Sequence, residues 1–193
     1  MQLLRHHIIQ MVCASFLYIG CTGENTSSAL IERFCSSTVV LPFSELTFIG
    51  ADSTWMEKAK YVCVVYEDSM SCMYCFASKL ALWGIFEEKV KKSFDDFSVC
   101  FVIPGQLSDM ETLKHIQYYS QYAPPIYLDT DDVFLRENPM IDSSRVLRSF
   151  LIDDSGCVLV VGNPTANADI SRRMIDEINA QRKKMRKQND SKE

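Results

Sequence analysis

Two stretches of this chain, residues 61–66 (Tyr-Val-Cys-Val-Val-Tyr) and 97–103 (Phe-Ser-Val-Cys-Phe-Val-Ile), are apolar almost without interruption. Runs of this length, rich in β-branched and aromatic residues and lacking polar alternation, predict strands buried on both faces near the centre of a sheet. Between them, from about Cys75 to Phe94, Ala77, Leu80, Trp83, Phe86 and Val90 recur at helical spacing, most simply as the core face of a helix. A second helix is predicted over 110–119, with Leu113, Ile116 and Tyr119 on its inner side. Pro124-Pro125 opens a short strand at 126–128, which ends at Asp129 and precedes a helical turn at 132–136. The apolar runs 149–152 and 157–161 are joined by Asp153-Asp154-Ser155-Gly156, which predicts a β-hairpin. Gly162-Asn163-Pro164 closes it, and 170–187 forms a last helix with Met174, Ile175 and Ile178 inward. Ahead of the first core strand, 38–41 and 46–49 read as short strands and 28–34 as a short helix. No internal repeat interrupts the order β-α-β-α-β, hairpin, α, which predicts an α/β fold: a mixed central sheet with helices on both faces.

The N-terminal end adds a targeting signal. Arg5, His6 and His7 precede an apolar stretch at 8–20, broken only by Gln10 and Ser15. It is too short for an ordinary membrane-spanning helix and suits a signal peptide. Its end, Gly20-Cys21, followed by small and polar residues, resembles the bacterial lipoprotein box, in which that cysteine is lipidated and becomes the new N-terminus. Tyr18 stands where the box prefers an aliphatic residue, so ordinary cleavage and an uncleaved anchor stay open. The expected organisation is a signal at 1–20, a tether at 21–36, one domain at 37–187 and a tail at 188–193. Cleavage after residue 20 leaves 173 of 193 residues and removes one arginine, taking the net charge from −5 to −6. That length supports one domain with a proper core, and that charge argues against nucleic acid as the main partner. The cluster Arg182, Lys183, Lys184, Arg186 and Lys187 reads as the solvated end of the last helix, where cations suit the dipole.

The most informative chemistry is Cys72 and Cys75, at the junction between the first core strand and its helix. Unpaired N–H groups and the positive end of the helix dipole stabilise a thiolate at such a place, and the thiolate is the species that attacks a disulfide. Cys72, nearer the helix start, is the expected nucleophile, and Cys75 the resolving thiol.

The order of elements, with C-x-x-C after the first core strand, resembles the thioredoxin fold, and more closely the membrane-tethered bacterial thiol–disulfide oxidoreductases and the related peroxiredoxin-like group. Three pieces carry the likeness over about residues 55–180: Cys72-Met73-Tyr74-Cys75, Pro125-Ile126-Tyr127-Leu128-Asp129 and Phe150-Leu151-Ile152-Asp153-Asp154-Ser155-Gly156. The resemblance implies thiol–disulfide exchange in the bacterial envelope, lipid-anchored and facing the periplasm. Its partners would be protein thiol or disulfide clients and a membrane or periplasmic redox partner, with the direction of electron flow open, and it needs no cofactor beyond the two sulfurs. Two positions depart from the family. Ser71 replaces the tryptophan usual before the first cysteine, and Leu147 stands where a cis-proline shapes the substrate groove. A cis bond before leucine is several kcal/mol less accessible than one before proline, so the groove at Leu147 is expected to be altered. No acid matches the family's buried proton acceptor, although Glu67 and Asp68 lie close in sequence.

Rival readings attach to the same residues. A structural disulfide on a non-catalytic binding or scaffold lipoprotein fits an exported chain, and Ser71 and Leu147 favour it. A zinc site needs four ligands, yet the chain beyond residue 21 holds one histidine, His115, and no second C-x-x-C. Ser69-x-x-Cys72 resembles the peroxiredoxin Thr-x-x-Cys, but Val65 occupies the place of its upstream proline, which leaves a peroxidase as a third reading. Asp129, Asp131 and Asp132 lack the remaining spacing of a calcium loop and read as solvated. Cys63 and Cys100 are expected as free core thiols, with a cross-strand pairing open; Cys35 and Cys157 have no assignable partner.

Overall fold

A computed structural model describes residues 23–68 and 72–190. The signal segment, the lipidation candidate Cys21, Ser69 and Ser71 lie outside the described residues. The described chain divides into two units between Arg33 and Phe34. The expected tether is helical: α1 (Gly23–Cys35) starts five residues before the predicted short helix.

The second unit is built on a six-stranded sheet. Its elements are β1 (Thr47–Ile49), α2 (Trp55–Lys58), β2 (Tyr61–Tyr66), α3 (Met73–Lys91), β3 (Phe97–Pro104), α4 (Met110–Ser120), β4 (Ile126–Asp129), α5 (Val133–Glu137), α6 (Pro139–Asp142), β5 (Ser149–Asp153), β6 (Val158–Val161) and α7 (Ala168–Asp190). The strand order is β1-β4-β3-β2-β5-β6. Strands β2, β3 and β4 run parallel, while β1, β5 and β6 pair antiparallel with their neighbours. The two apolar runs of the sequence are the two central strands, and every residue of β2 is buried, as expected for strands covered from both sides.

Side-chain alternation divides the core in two. Cys63, Val65, Val99 and Phe101 face one side, where they pack with Leu80, Trp83, Leu113, Ile116, Met174 and Ile178 from α3, α4 and α7. The other side holds Tyr66 stacked on Phe134 of α5 and Phe34 edge-on to Phe150 of β5. Full burial of each such aliphatic or aromatic side chain stabilises by roughly 1.5–3 kcal/mol.

Four expectations need correction. Tyr119 is 61% exposed; the inner stripe of α4 runs Leu113, Ile116, Gln117 and Ser120, because seven residues from Leu113 bring the helix back to position 120. Residues 38–41 do not form a strand beyond one bridge between Thr38 and Cys157. The amide side chain of Asn138 instead takes the backbone of Val40, accepting from its N–H at 2.9 Å and donating to its carbonyl at 2.8 Å. Asp129 is not solvated: it is 2% exposed and its carboxylate accepts the Val133 and Phe134 N–H groups, each at 2.9 Å. Helix α7 continues to Asp190, past the expected tail boundary.

Candidate active site

The C-x-x-C pair sits where sheet and helix meet, and the local backbone explains how. Cys72 is extended (φ −146°, ψ 110°) and is the N-cap of α3, with its Sγ accepting the Cys75 N–H at 3.3 Å. The Cys72 carbonyl accepts the Phe76 N–H at 3.0 Å, closing the first turn. Periodicity alone placed the helix start near Cys75; the true start is Met73, so the first cysteine becomes the cap. Sulfur here does what a serine or aspartate oxygen usually does, satisfying one of the four orphan N–H groups. The first turn of α3 carries no acidic residue, so no negative side chain there opposes an anion at the positive end of the dipole.

The two thiols are electrostatically unequal. The hydrogen bond from the Cys75 thiol, followed by that from the Cys75 N–H, holds the Cys72 thiol below the ordinary range. Cys75 is pushed upward, first because its thiol donates to Cys72 and then by desolvation and by the charge on Cys72, with Lys79 pulling the other way. Both residues are exposed. The two exposed thiols are thus displaced in opposite directions, Cys72 toward the thiolate and Cys75 toward the thiol, the division that attack and resolution require.

A polar cleft of about 360 Å³ opens at the end of β2, lined by Tyr66, Glu67, Asp68, Lys79, Arg145 and Arg148 among others. Lys79, one turn beyond Cys75, pairs with Glu67 at 2.9 Å. Arg148 pairs with Asp68, holding that carboxyl below its usual range, and lies 5.8 Å from the centre of the Tyr66 ring. Burial pushes the Tyr66 hydroxyl up to about 12, against the opposing pull of Arg148. Leu147 does not line this cleft. It is completely buried, because an apolar side chain on the Arg145–Arg148 turn gains more from the core than from a wet wall. Arg145 and Arg148, on either side of it, form the wall instead.

The remaining candidates sit elsewhere. His115 lies on the exposed face of α4. Cys63 and Cys100 are fully buried, and the register pairs Cys63 with Val99 and Cys100 with Val64. They therefore point to opposite faces of the sheet and cannot bridge. Glu87 is a buried acid that accepts from Ser98 Oγ and the Val99 N–H, both at 3.2 Å, and from the Tyr122 hydroxyl. It is 12 residues along α3 from Cys75, roughly 18 Å at helical rise, too far to take a proton from that thiol. Among the described residues no group of three or more His, Cys, Asp or Glu could hold a metal, and no helix is long and apolar enough to cross a membrane. Sequence reasoning missed Lys79 and Arg148. Lys79 is readable, four residues after Cys75 on a predicted helix; Arg148 is not, since its partner Asp68 is 80 residues away.

No protein-family model and no curated protein matches this sequence. Solved structures do match. The solution structure of a candidate protein disulfide isomerase from Bacteroides thetaiotaomicron aligns with TM-score 0.50 at 13% identity, over 75% of this chain and 87% of that one. A thioredoxin-family thiol:disulfide interchange protein from Chlorobium tepidum TLS aligns with TM-score 0.47 at 17% identity, covering 72% of this chain and 96% of the other. A thioredoxin-like protein solved in its oxidised form gives 0.46 at 16%, covering 67% and 88%. The chain has the thioredoxin-like α/β fold.

Proposed function

We propose that this protein exchanges thiols and disulfides with protein clients through Cys72 and Cys75. The observation that supports it most is an exposed Cys72 sulfur receiving the Cys75 N–H at the start of α3. In the reducing direction, the Cys72 thiolate attacks a client disulfide and expels one client thiolate, forming a mixed disulfide. Cys75 then loses its proton and attacks the Cys72 sulfur, releasing the second client thiolate and leaving a Cys72–Cys75 disulfide. The client gains two electrons and two protons and this protein loses them; the oxidising direction is the reverse. Lys79 favours the thiolate form of Cys75, which eases the second step.

We place the reaction in the bacterial envelope, with Cys21 lipidated and a membrane or periplasmic redox partner recycling the pair. The leader and the Gly20-Cys21 junction motivate this location; mass spectrometry of the mature N-terminus tests it, and an unmodified Cys21 excludes the anchor.

The second reading is a scaffold that keeps the fold without catalysis. Leu147, buried at the position where the family shapes its substrate groove, favours it. Redox titration with thiol mapping separates the two. Exchange predicts reversible Cys72–Cys75 cycling and a Cys75→Ser variant that accumulates mixed disulfides with clients. A pair reducible only under harsh conditions, and a variant that traps nothing, favours the scaffold. Peroxide consumption that disappears with Cys72→Ser selects the peroxidase reading instead.

A further inference from the structure

Cys35 and Cys157 are the two thiols that neither the C-x-x-C site nor the core absorbs. Both are partly exposed, unlike Cys63 and Cys100. They are 122 residues apart in the chain, yet the backbone brings their segments together by a series of fixed contacts. Phe34 is 2% exposed, with its ring 5.1 Å from that of Phe150, which anchors the start of the segment in the core. The Ser37 N–H and Ser37 Oγ both donate to the Phe34 carbonyl, at 2.9 and 2.7 Å. That closure tightens the C-terminal end of α1 around Cys35. The helix end leads directly onto the hairpin. The Ser37 carbonyl accepts the Val158 N–H at 3.1 Å, Thr38 bridges Cys157, and the Val39 N–H donates to the Gly156 carbonyl at 2.9 Å.

The approach is close enough that the hairpin has no spare room. A Cβ on Gly156 would meet the Val39 carbonyl oxygen at 2.7 Å, and that glycine has φ +81°, a conformation open to it without strain. Electrostatics agrees with the proximity. Desolvation raises the Cys35 thiol, Arg173 draws it down, and a charge on Cys157 adds to the rise.

We infer that Cys35 and Cys157 form a second, non-catalytic disulfide that fastens the Phe34–Val39 segment to the hairpin along β6. Six cysteines beyond residue 21 thereby sort into three classes: an exposed exchanging pair, a buried and permanently reduced pair on opposite sheet faces, and a linking pair at the edge of the sheet. Two features suit the third class to a link. Its thiols are open enough to meet an oxidant, and the Thr38–Cys157 bridge already holds the segment after Cys35 against the hairpin. Strand β6 is an outer strand of the sheet, and a covalently held segment along it protects a free edge from pairing with another chain.

The oxidant can be any small disulfide. One thiolate of the pair attacks glutathione disulfide and expels one glutathione thiolate. The other thiolate attacks the protein–glutathione bond and expels the second. The pair loses two electrons and two protons, and one glutathione disulfide becomes two glutathione molecules.

The inference stands apart from the exchange activity and is tested without it. The full chain carrying Cys72→Ser and Cys75→Ser is equilibrated with glutathione disulfide, quenched with acid, alkylated and digested. The expected result is an intact-protein mass lower by two hydrogens and a linked peptide pair containing Cys35 and Cys157. Its melting temperature should rise by several degrees on oxidation, the direction expected for closing a long loop. A further Cys35→Ser change should abolish that rise and leave Cys157 carrying glutathione. The inference is overturned if Cys35 and Cys157 each carry glutathione or remain alkylatable with no linked peptide. It is overturned equally if the links found are only between molecules. The same linked peptide sought in the unsubstituted chain guards against an effect of the two serines.

Discussion

At the scale of single residues, the chemistry turns on how two sulfurs share one proton. Cys72 accepts from both the Cys75 thiol and the Cys75 N–H, and neither acceptance costs the helix anything, since that N–H has no intrahelical partner. The first prediction follows from the direction of the two displacements. Alkylation of Cys72, followed peptide by peptide across pH, should reach half its maximum below the pH of an ordinary cysteine, and Cys75 above it. A Cys72 profile indistinguishable from that of a free thiol would remove the basis for attack. The same displacements reach stability with a definite sign. The folded chain releases the Cys72 proton before the unfolded chain does, so stability rises with pH between those two points and falls as pH drops through the folded value. Cys75, displaced upward, acts oppositely: its contribution is present below the unfolded value and is lost as pH climbs through the folded one. Lys79→Met should push Cys75 higher still and slow the release of a trapped client, measurable as longer-lived mixed disulfide in the otherwise unsubstituted protein.

Among the elements, α3 does two separate jobs at its two ends. The N-terminal end presents Cys72, and the C-terminal half ties the helix to the sheet through Glu87, whose carboxylate also pairs with Lys91 at 2.9 Å. Tyr122, whose hydroxyl donates to Glu87, is raised well above its ordinary range, by burial first and by the nearby carboxylate second. Glu87→Ala should lower stability by about 1–3 kcal/mol, because the Ser98 hydroxyl, the Val99 N–H and the Tyr122 hydroxyl lose their buried acceptor. Urea unfolding measures this loss, and the Cys72 alkylation profile should not move, since the two ends are roughly 18 Å apart. Asp129 is the comparable fixture on β4. Removing its carboxylate with Asp129→Ala leaves two buried N–H groups of α5 unsatisfied, and should cost about 1–2 kcal/mol as other caps do.

For the molecule as a whole, reactivity should follow burial. Cys63 and Cys100 are sealed in the sheet and raised by that burial. Their alkylation should therefore proceed only when the whole domain opens, at a rate that tracks global stability. Adding urea below the unfolding midpoint should accelerate these two residues together, while Cys72 reacts at once in native buffer. Early labelling of either buried thiol in native buffer would show that the central strands open locally.

The sequence by itself determined the fold class, the two central strands, the hairpin and the position of the cysteine pair at a strand–helix junction. These were readable because each rests on local order: unbroken β-branched runs, a Gly-ended polar turn, and apolar residues at helical spacing. Tertiary structure alone decided what depends on residues distant in the chain. It set Asp68 against Arg148, gave Val40 a side-chain partner in Asn138, and turned Asp129 from an apparently wet acid into a buried cap. It also separated Cys63 from Cys100, because a one-residue offset between parallel neighbours sends their side chains to opposite faces. Periodicity reports which face a residue occupies within its own element; which element covers that face, and which polar group answers it, is fixed only when the sheet assembles.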